Sequence, residues 1–127
     1  FETLIVLKKL DLSVNKLREF GQLTFYFCFH LKYLNLSRNS LEHLKNNQFE
    51  NLVELIDLDL SYNQLNYLQS NLTTNLNKLR NFYLNSNTIY SIEQIGGLRS
   101  IQNIYISADF LETFKNLTDL KKNLLVL

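Results

Sequence analysis

LIDLDLSYN, residues Leu55–Asn63, is the stretch that decides the fold of this chain. Read as an extended strand, it puts Leu58 and Leu60 on one side and Asp57, Asp59 and Ser61 on the other. A short strand with one apolar side cannot bury that side by itself. The rest of the chain supplies the remedy by repeating the phrase. It recurs as LKKLDLSVN at Leu7–Asn15, LKYLNLSRN at Leu31–Asn39 and LRNFYLNSN at Leu79–Asn87. A further copy, IQNIYISAD at Ile101–Asp109, keeps the apolar positions and ends on Asp109 in place of Asn. The starts are 24, 24, 24 and 22 residues apart, the spacing of stacked coils in a solenoid.

Stacking merges the leucines into one core and pairs the strands as a parallel sheet. Parallel strands need a long return path, and the remaining residues of each repeat are long enough to provide it. That path carries its own apolar marks at intervals of three. Leu41 and Leu44, or Leu65 and Leu68, follow the asparagine; Phe25 and Cys28, or Phe49 and Leu52, precede the next phrase. An amphipathic helix would mix intervals of three and four throughout. The asparagines have a structural explanation. The chain turns inward after each strand, and an amide side chain offers both donors and an acceptor to peptide groups left unpaired there. Asn15, Asn39, Asn63 and Asn87 are expected to form a buried ladder that weakens or ends at Asp109. Gly96 and Gly97 fall in the one shortened repeat and are expected to let its return path tighten.

The composite pattern FxxLxxLxxLxLxxNxLxxL resembles the typical extracellular class of leucine-rich repeats. Phe1, Phe25 and Phe49 stand where that class has its phenylalanine. LEHLKNNQFENLVELIDLDLSYNQL is a close match to the type. Toll-type receptors, secreted insect leucine-rich immune proteins and neuronal adhesion receptors share it. The resemblance implies an α/β-type solenoid, a leucine-rich repeat arc with its parallel sheet on the concave face and an irregular or short-helical convex side. It implies a single domain over 1–127 with repeats at 7–30, 31–54, 55–78, 79–100 and 101–123. The cysteine-rich caps usual in the family are missing, since Cys28 is the one cysteine. Phe1 already lies inside a repeat and NLLVL reads as the start of another strand, so a segment of a longer array is expected.

Composition narrows the chemistry. The net charge is +1 over 127 residues, and no basic block exceeds pairs such as Lys8–Lys9, which disfavours nucleic acid. No apolar run approaches the roughly 20 residues of a membrane span. Cys28 takes a position where other repeats have leucine, so it is expected in the core as an unreactive thiol. His30 and His43 are not spaced for a metal with other ligands. No phosphate loop and no catalytic constellation appears, so neither an enzyme nor a cofactor is expected.

The core does not dictate what stands on the open side of the strands. Its first column is Lys9, Tyr33, Asp57, Asn81 and Asn103; its second is Asp11, Asn35, Asp59, Tyr83 and Tyr105. A third column, Ser13, Ser37, Ser61, Asn85 and Ser107, is flanked by Arg38 and Tyr62 and is expected to point outward too. Tyrosine mixed with charged and amide groups is what protein interfaces favour. Tyr33, Tyr62, Tyr83 and Tyr105 are the expected anchors, with Arg38, Asp57 and Asp59 beside them, and Asp11 adds to an acidic patch. Sequons begin at Asn35, Asn71 and Asn116. The expected role is a protein-binding module of an extracellular recognition, immune or adhesion protein, secreted or at the cell surface. The alternatives are a cytoplasmic repeat scaffold docking a protein, or a structural section of a larger assembly with a partner subunit.

Overall fold

The computed structural model describes residues 2–69, 71–92, 100–110 and 124–127. Six short strands form one parallel sheet: β1 (Lys9–Asp11), β2 (Tyr33–Asn35), β3 (Asp57–Asp59), β5 (Asn81–Tyr83), β7 (Asn103–Ile106) and β8 (Leu124–Val126), side by side in that order. The repeat period sets the register, so Leu10, Leu34, Leu58, Phe82, Ile104 and Leu124 are paired in turn. The chain is a parallel-sheet solenoid of the leucine-rich repeat type.

The return side among the described residues is irregular, one of the two forms expected. The only α-helix among the described residues is α1 (Glu2–Ile5), ahead of the first strand. Elsewhere the return path is made of turns, with a second parallel pair formed by β4 (Tyr67–Leu68) and β6 (Ser91–Ile92). One 3-10 turn, Ala108–Phe110, follows β7. Apolar positions at intervals of three are enough to wrap such a path around a core without a helical hydrogen-bond ladder. Phe1, Gly96, Gly97, Asn116 and the apolar positions Ile95, Leu98, Leu111 and Phe114 lie outside the described residues.

Inward leucines from both halves of each coil meet in one core. Leu31, Leu36, Leu55, Leu58, Leu60, Leu65 and Leu79 are sealed from solvent. Phe25 and Phe49 stack at 6.0 Å, with Phe20 edge-on to Phe25 at 5.2 Å, so the phenylalanines form a spine on the return side. Cys28 is buried beside them, and burial pushes its thiol pKa up. The first repeat is looser, for Leu7, Leu10, Leu12 and Leu17 are only partly covered.

The asparagine ladder forms across three rungs. Asn63 Nδ2 donates to Leu36 O of the preceding repeat at 3.0 Å and to Leu60 O at 3.1 Å, and its Oδ1 accepts Leu41 N at 3.1 Å. Asn39 and Asn87 repeat this scheme, reaching back to Leu12 O with Leu17 N, and to Leu60 O with Leu65 N. Asn15 departs from expectation: it is exposed, and its side chain bonds only within its own turn, to Leu12 O and Ser13 O. Asp109, with no amide to donate, lies exposed in the 3-10 turn and off the ladder.

One residue ahead of each asparagine the backbone is left-handed. Val14, Arg38, Tyr62 and Ser86 have φ of 56°, 55°, 54° and 57°, a conformation that costs non-glycine residues. Cross-repeat bonds hold three of them there: Val14 N, Arg38 N and Tyr62 N donate to Ser37 O, Ser61 O and Asn85 O. This inward jog also corrects the third column. Ser37, Ser61 and Asn85 are buried, because the chain has begun to turn under the sheet where they stand. One further polar residue serves the fold. Buried Gln48 donates to Phe20 O at 2.8 Å and accepts Lys45 N at 2.7 Å. Asn66 lies half-buried with its Oδ1 inside and unsatisfied, as is the Oε1 of Gln69, so neither is an ordinary surface residue.

Candidate protein-binding face

The open side of the six-stranded sheet collects the first two columns in register. Tyr33 pairs with Asp57 and Asp57 with Asn81; Asn35 pairs with Asp59, Asp59 with Tyr83, and Tyr83 with Tyr105. Across β1, β2, β3 and β5 this face sinks into an open hollow of about 420 Å³. Lys9, Asp11, Tyr33, Asn35, Asp57, Asp59 and Tyr83 supply its functional lining, over Leu10 and Leu34. Four of the residues expected from sequence, Tyr33, Asp57, Asp59 and Tyr83, thus come together.

The other three do not line it. Tyr105 stacks flat on Tyr83, with ring centroids 4.2 Å apart and planes 4° from parallel, and extends the aromatic wall. Arg38 and Tyr62, both exposed in successive turns, satisfy each other: the guanidinium lies 4.2 Å over the ring. Lys9 and Asp11 complete the hollow. Their columns were legible in the sequence, and only the closeness of neighbouring strands makes them part of the site.

The acidic groups have two jobs. Asp59 Oδ1 accepts Ser61 N at 2.9 Å and Ser61 Oγ at 2.6 Å, which pins the turn after β3. Asn35 does the same for Ser37 N, and Asp11 for Ser13 N. These bonds from the Ser13 hydroxyl and amide hold the Asp11 carboxyl below its ordinary pKa. Asp57 Oδ1 accepts Asn81 Nδ2 at 2.6 Å, and Asn81 Oδ1 accepts Asn103 Nδ2 at 2.8 Å, so the first column is a chain of side-chain bonds. None of Asp11, Asp57 and Asp59 forms an ion pair among the described residues, where the one pair is His30 with Glu54. Lys9 lies instead over the Tyr33 ring at 5.0 Å. The Tyr83 hydroxyl is pushed up from 10.0 to about 12 by burial first, then by Tyr105, Asp57 and Asp59.

Of the sequons, Asn71 is exposed on the return side. Asn35 is half-buried within the hollow, with its Oδ1 already bonded. A strip the sequence reading passed over lies off the sheet: Ile5, Phe29 and Val53 recur at a spacing of 24, and all are exposed. Among the described residues no group of His, Cys, Asp and Glu could hold a metal ion, and no helix is long and apolar enough to cross a membrane.

The family model for the leucine rich repeat matches residues 5–65. The matched residues include β1, β2 and β3, most of the hollow, and the first two buried rungs of the ladder. β5 and β7 continue the leucine-rich repeat register beyond them. No curated protein matches the chain. Leucine-rich repeat domains are generally protein-binding modules, and the fold is typically non-enzymatic.

Proposed function

We propose that this chain is a protein-recognition segment of an extracellular leucine-rich repeat protein, with a role in immunity or adhesion, and that its partner docks on the open sheet face. The observation that carries the docking site is the hollow itself. Tyr33 and Tyr83 stand in it, and aromatic side chains in a half-enclosed site are the usual centres of protein interfaces. The extracellular setting draws its support from the resemblance to Toll-type receptors and secreted insect immune proteins, and from the accessible sequon at Asn71.

Affinity capture from secreted material, with the wild-type chain as bait, tests both parts. A recovered protein should bind Tyr83→Ala about 30-fold more weakly, the equivalent of about 2 kcal/mol at a packed interface centre. Asn77→Ala, exposed on the return side, should leave affinity unchanged. The reverse outcome would move the partner to the other surface and favour a structural role in an assembly. Chain expressed through a secretory route should lose glycan mass on Asn71→Gln. An unglycosylated Asn71 would remove that support and favour a cytoplasmic scaffold.

A further inference from the structure

We propose that the hollow takes the guanidinium of an arginine side chain presented by the docked protein, an inference that rests on the docking face above and specifies its chemistry. The charge on this face is unbalanced. Asp11 on β1 and Asp57 and Asp59 on β3 line the hollow from either side of β2, and no cation among the described residues forms an ion pair with them. The Oδ1 atoms of Asp57 and Asp59 are taken by Asn81 and Ser61, while neither Oδ2 accepts a bond among the described residues. Those two acceptors lie two residues apart on one side of one strand. A guanidinium, with five donors in a planar fork, can bond to carboxylates in this arrangement.

The walls select the shape of the cation. Tyr33 and Tyr83 flank the carboxylates, and a weakly hydrated planar guanidinium stacks on such rings better than an ammonium does. The molecule already shows this pairing at its rim, where Arg38 covers Tyr62. The hollow opens to solvent and has the volume for a long side chain to enter from above. A metal ion fits less well, since among the described residues the carboxylates are not grouped closely enough to ligate one. An anionic partner group would meet three carboxylates against the single ammonium of Lys9.

The test uses two short peptides on the isotope-labelled full chain at physiological salt: acetyl-Gly-Arg-Gly-amide, and the same peptide with citrulline, the neutral isostere, in place of arginine. Amide shifts should saturate with the arginine peptide and cluster on β1, β2, β3 and β5. The citrulline peptide should bind at least tenfold more weakly. The double variant Asp57→Asn/Asp59→Asn should lower arginine-peptide affinity at least tenfold. Its fold should survive, since Asn81 and Asn103 share the Asp57 column and Asn35 shares that of Asp59. If that variant unfolds, the citrulline comparison on the native chain decides the matter alone. Equal binding of the two peptides on the face would overturn the arginine assignment and leave the docking reading standing. Shifts scattered over the surface, no shift on the face, or an unchanged folded double variant would also overturn it. The docking reading is judged separately, by the Tyr83→Ala capture.

Discussion

The two halves of the sheet close their turns in different ways. Along β1, β2 and β3 the outer column is Asp11, Asn35 and Asp59, and each side chain accepts the amide two residues ahead. At β5 and β7 the same column holds Tyr83 and Tyr105, which cannot do this and instead stack on each other. The turn after β5 is held from outside, by Ser107 Oγ accepting Ser86 N at 2.6 Å. Beneath these turns Asn63 in the first half and Asn87 in the second make the same bonds to the preceding repeat. The inner amide bonds are thus common to both halves, while in the first half the outer column adds a second hold to turns already tied to the next repeat. Where that help is dispensed with, the position is free to carry an aromatic wall.

The largest effect should come from the inner column. Asn63→Ala strands Leu41 N deep in the stack, an orphaned group that costs about 1–3 kcal/mol, and leaves Leu36 O with Asn39 Nδ2 as its remaining donor. Asn15→Ala, whose side chain is exposed and bonds only locally, should cost under about 1 kcal/mol. Equal denaturant midpoints for the two would break the distinction between a required column and an optional one.

The outer column should respond less, and differently in each half. Asp59→Ala removes the acceptor of the turn and should cost about 1 kcal/mol, whereas Asp59→Asn should be near neutral, because Asn35 already does this work one repeat away. Tyr83→Phe should leave stability almost unchanged near neutral pH, since the stack with Tyr105 is ring on ring. Chemical denaturation of the three variants compares the halves directly. An Asp59→Asn loss as large as that of Asp59→Ala would show that charge, and not the amide bond, holds the first half.

A smaller gain is expected at the left-handed positions. Val14 is β-branched at φ 56°, so Val14→Asn should raise stability by about 0.5–1 kcal/mol in thermal or denaturant unfolding. The change should add independently to the Asp59 variants, which lie two repeats away.

The finest contrast is with pH. The Tyr83 phenol has a folded pKa of about 12 against an ordinary 10.0, so the folded state holds its proton longer than the unfolded one does. Its contribution to stability is complete below about 10 and falls as pH climbs toward about 12. Tyr83→Phe should flatten the decline in unfolding midpoint between those values. An identical decline would mean that burial, with Tyr105, Asp57 and Asp59 behind it, does not hold the proton on this hydroxyl.

The solenoid was legible because its period and its alternation of apolar positions are properties of order along the chain. The register of Tyr33, Asp57 and Asn81, and the adjacency of Tyr83 and Tyr105, follow from the repeat spacing alone. The depth of Ser37 and Ser61 did not, because it depends on the left-handed jog at Arg38 and Tyr62, which no residue type there announces. Gln48 was passed over for a similar reason. A glutamine in a polar run, LKNNQFE, looks solvated until the path folds it against Phe20 O. Nor does a strand pattern reveal that Arg38 and Tyr62 pair with each other while Lys9 and Asp11 join the hollow, since that depends on side-chain rotamers and on the depth of the face.

The rungs of the inner column all point the same way. Asn39 completes the turn of the repeat before it, Asn63 that of the next, and Asn87 the one after. Each repeat is thus sealed by its successor, and the stack has a grain like overlapping roof tiles. Peeling it from the high-numbered side would strip cover from backbone groups of the repeat left behind. Peeling from the low-numbered side would leave the Leu41 and Leu65 amides covered, although sheet amides such as Lys32 and Tyr33 would lose Lys8 O. Hydrogen exchange should show this asymmetry: Leu17, Leu41 and Leu65 amides should lose protection in step with the repeat that follows each of them, and be indifferent to the one before.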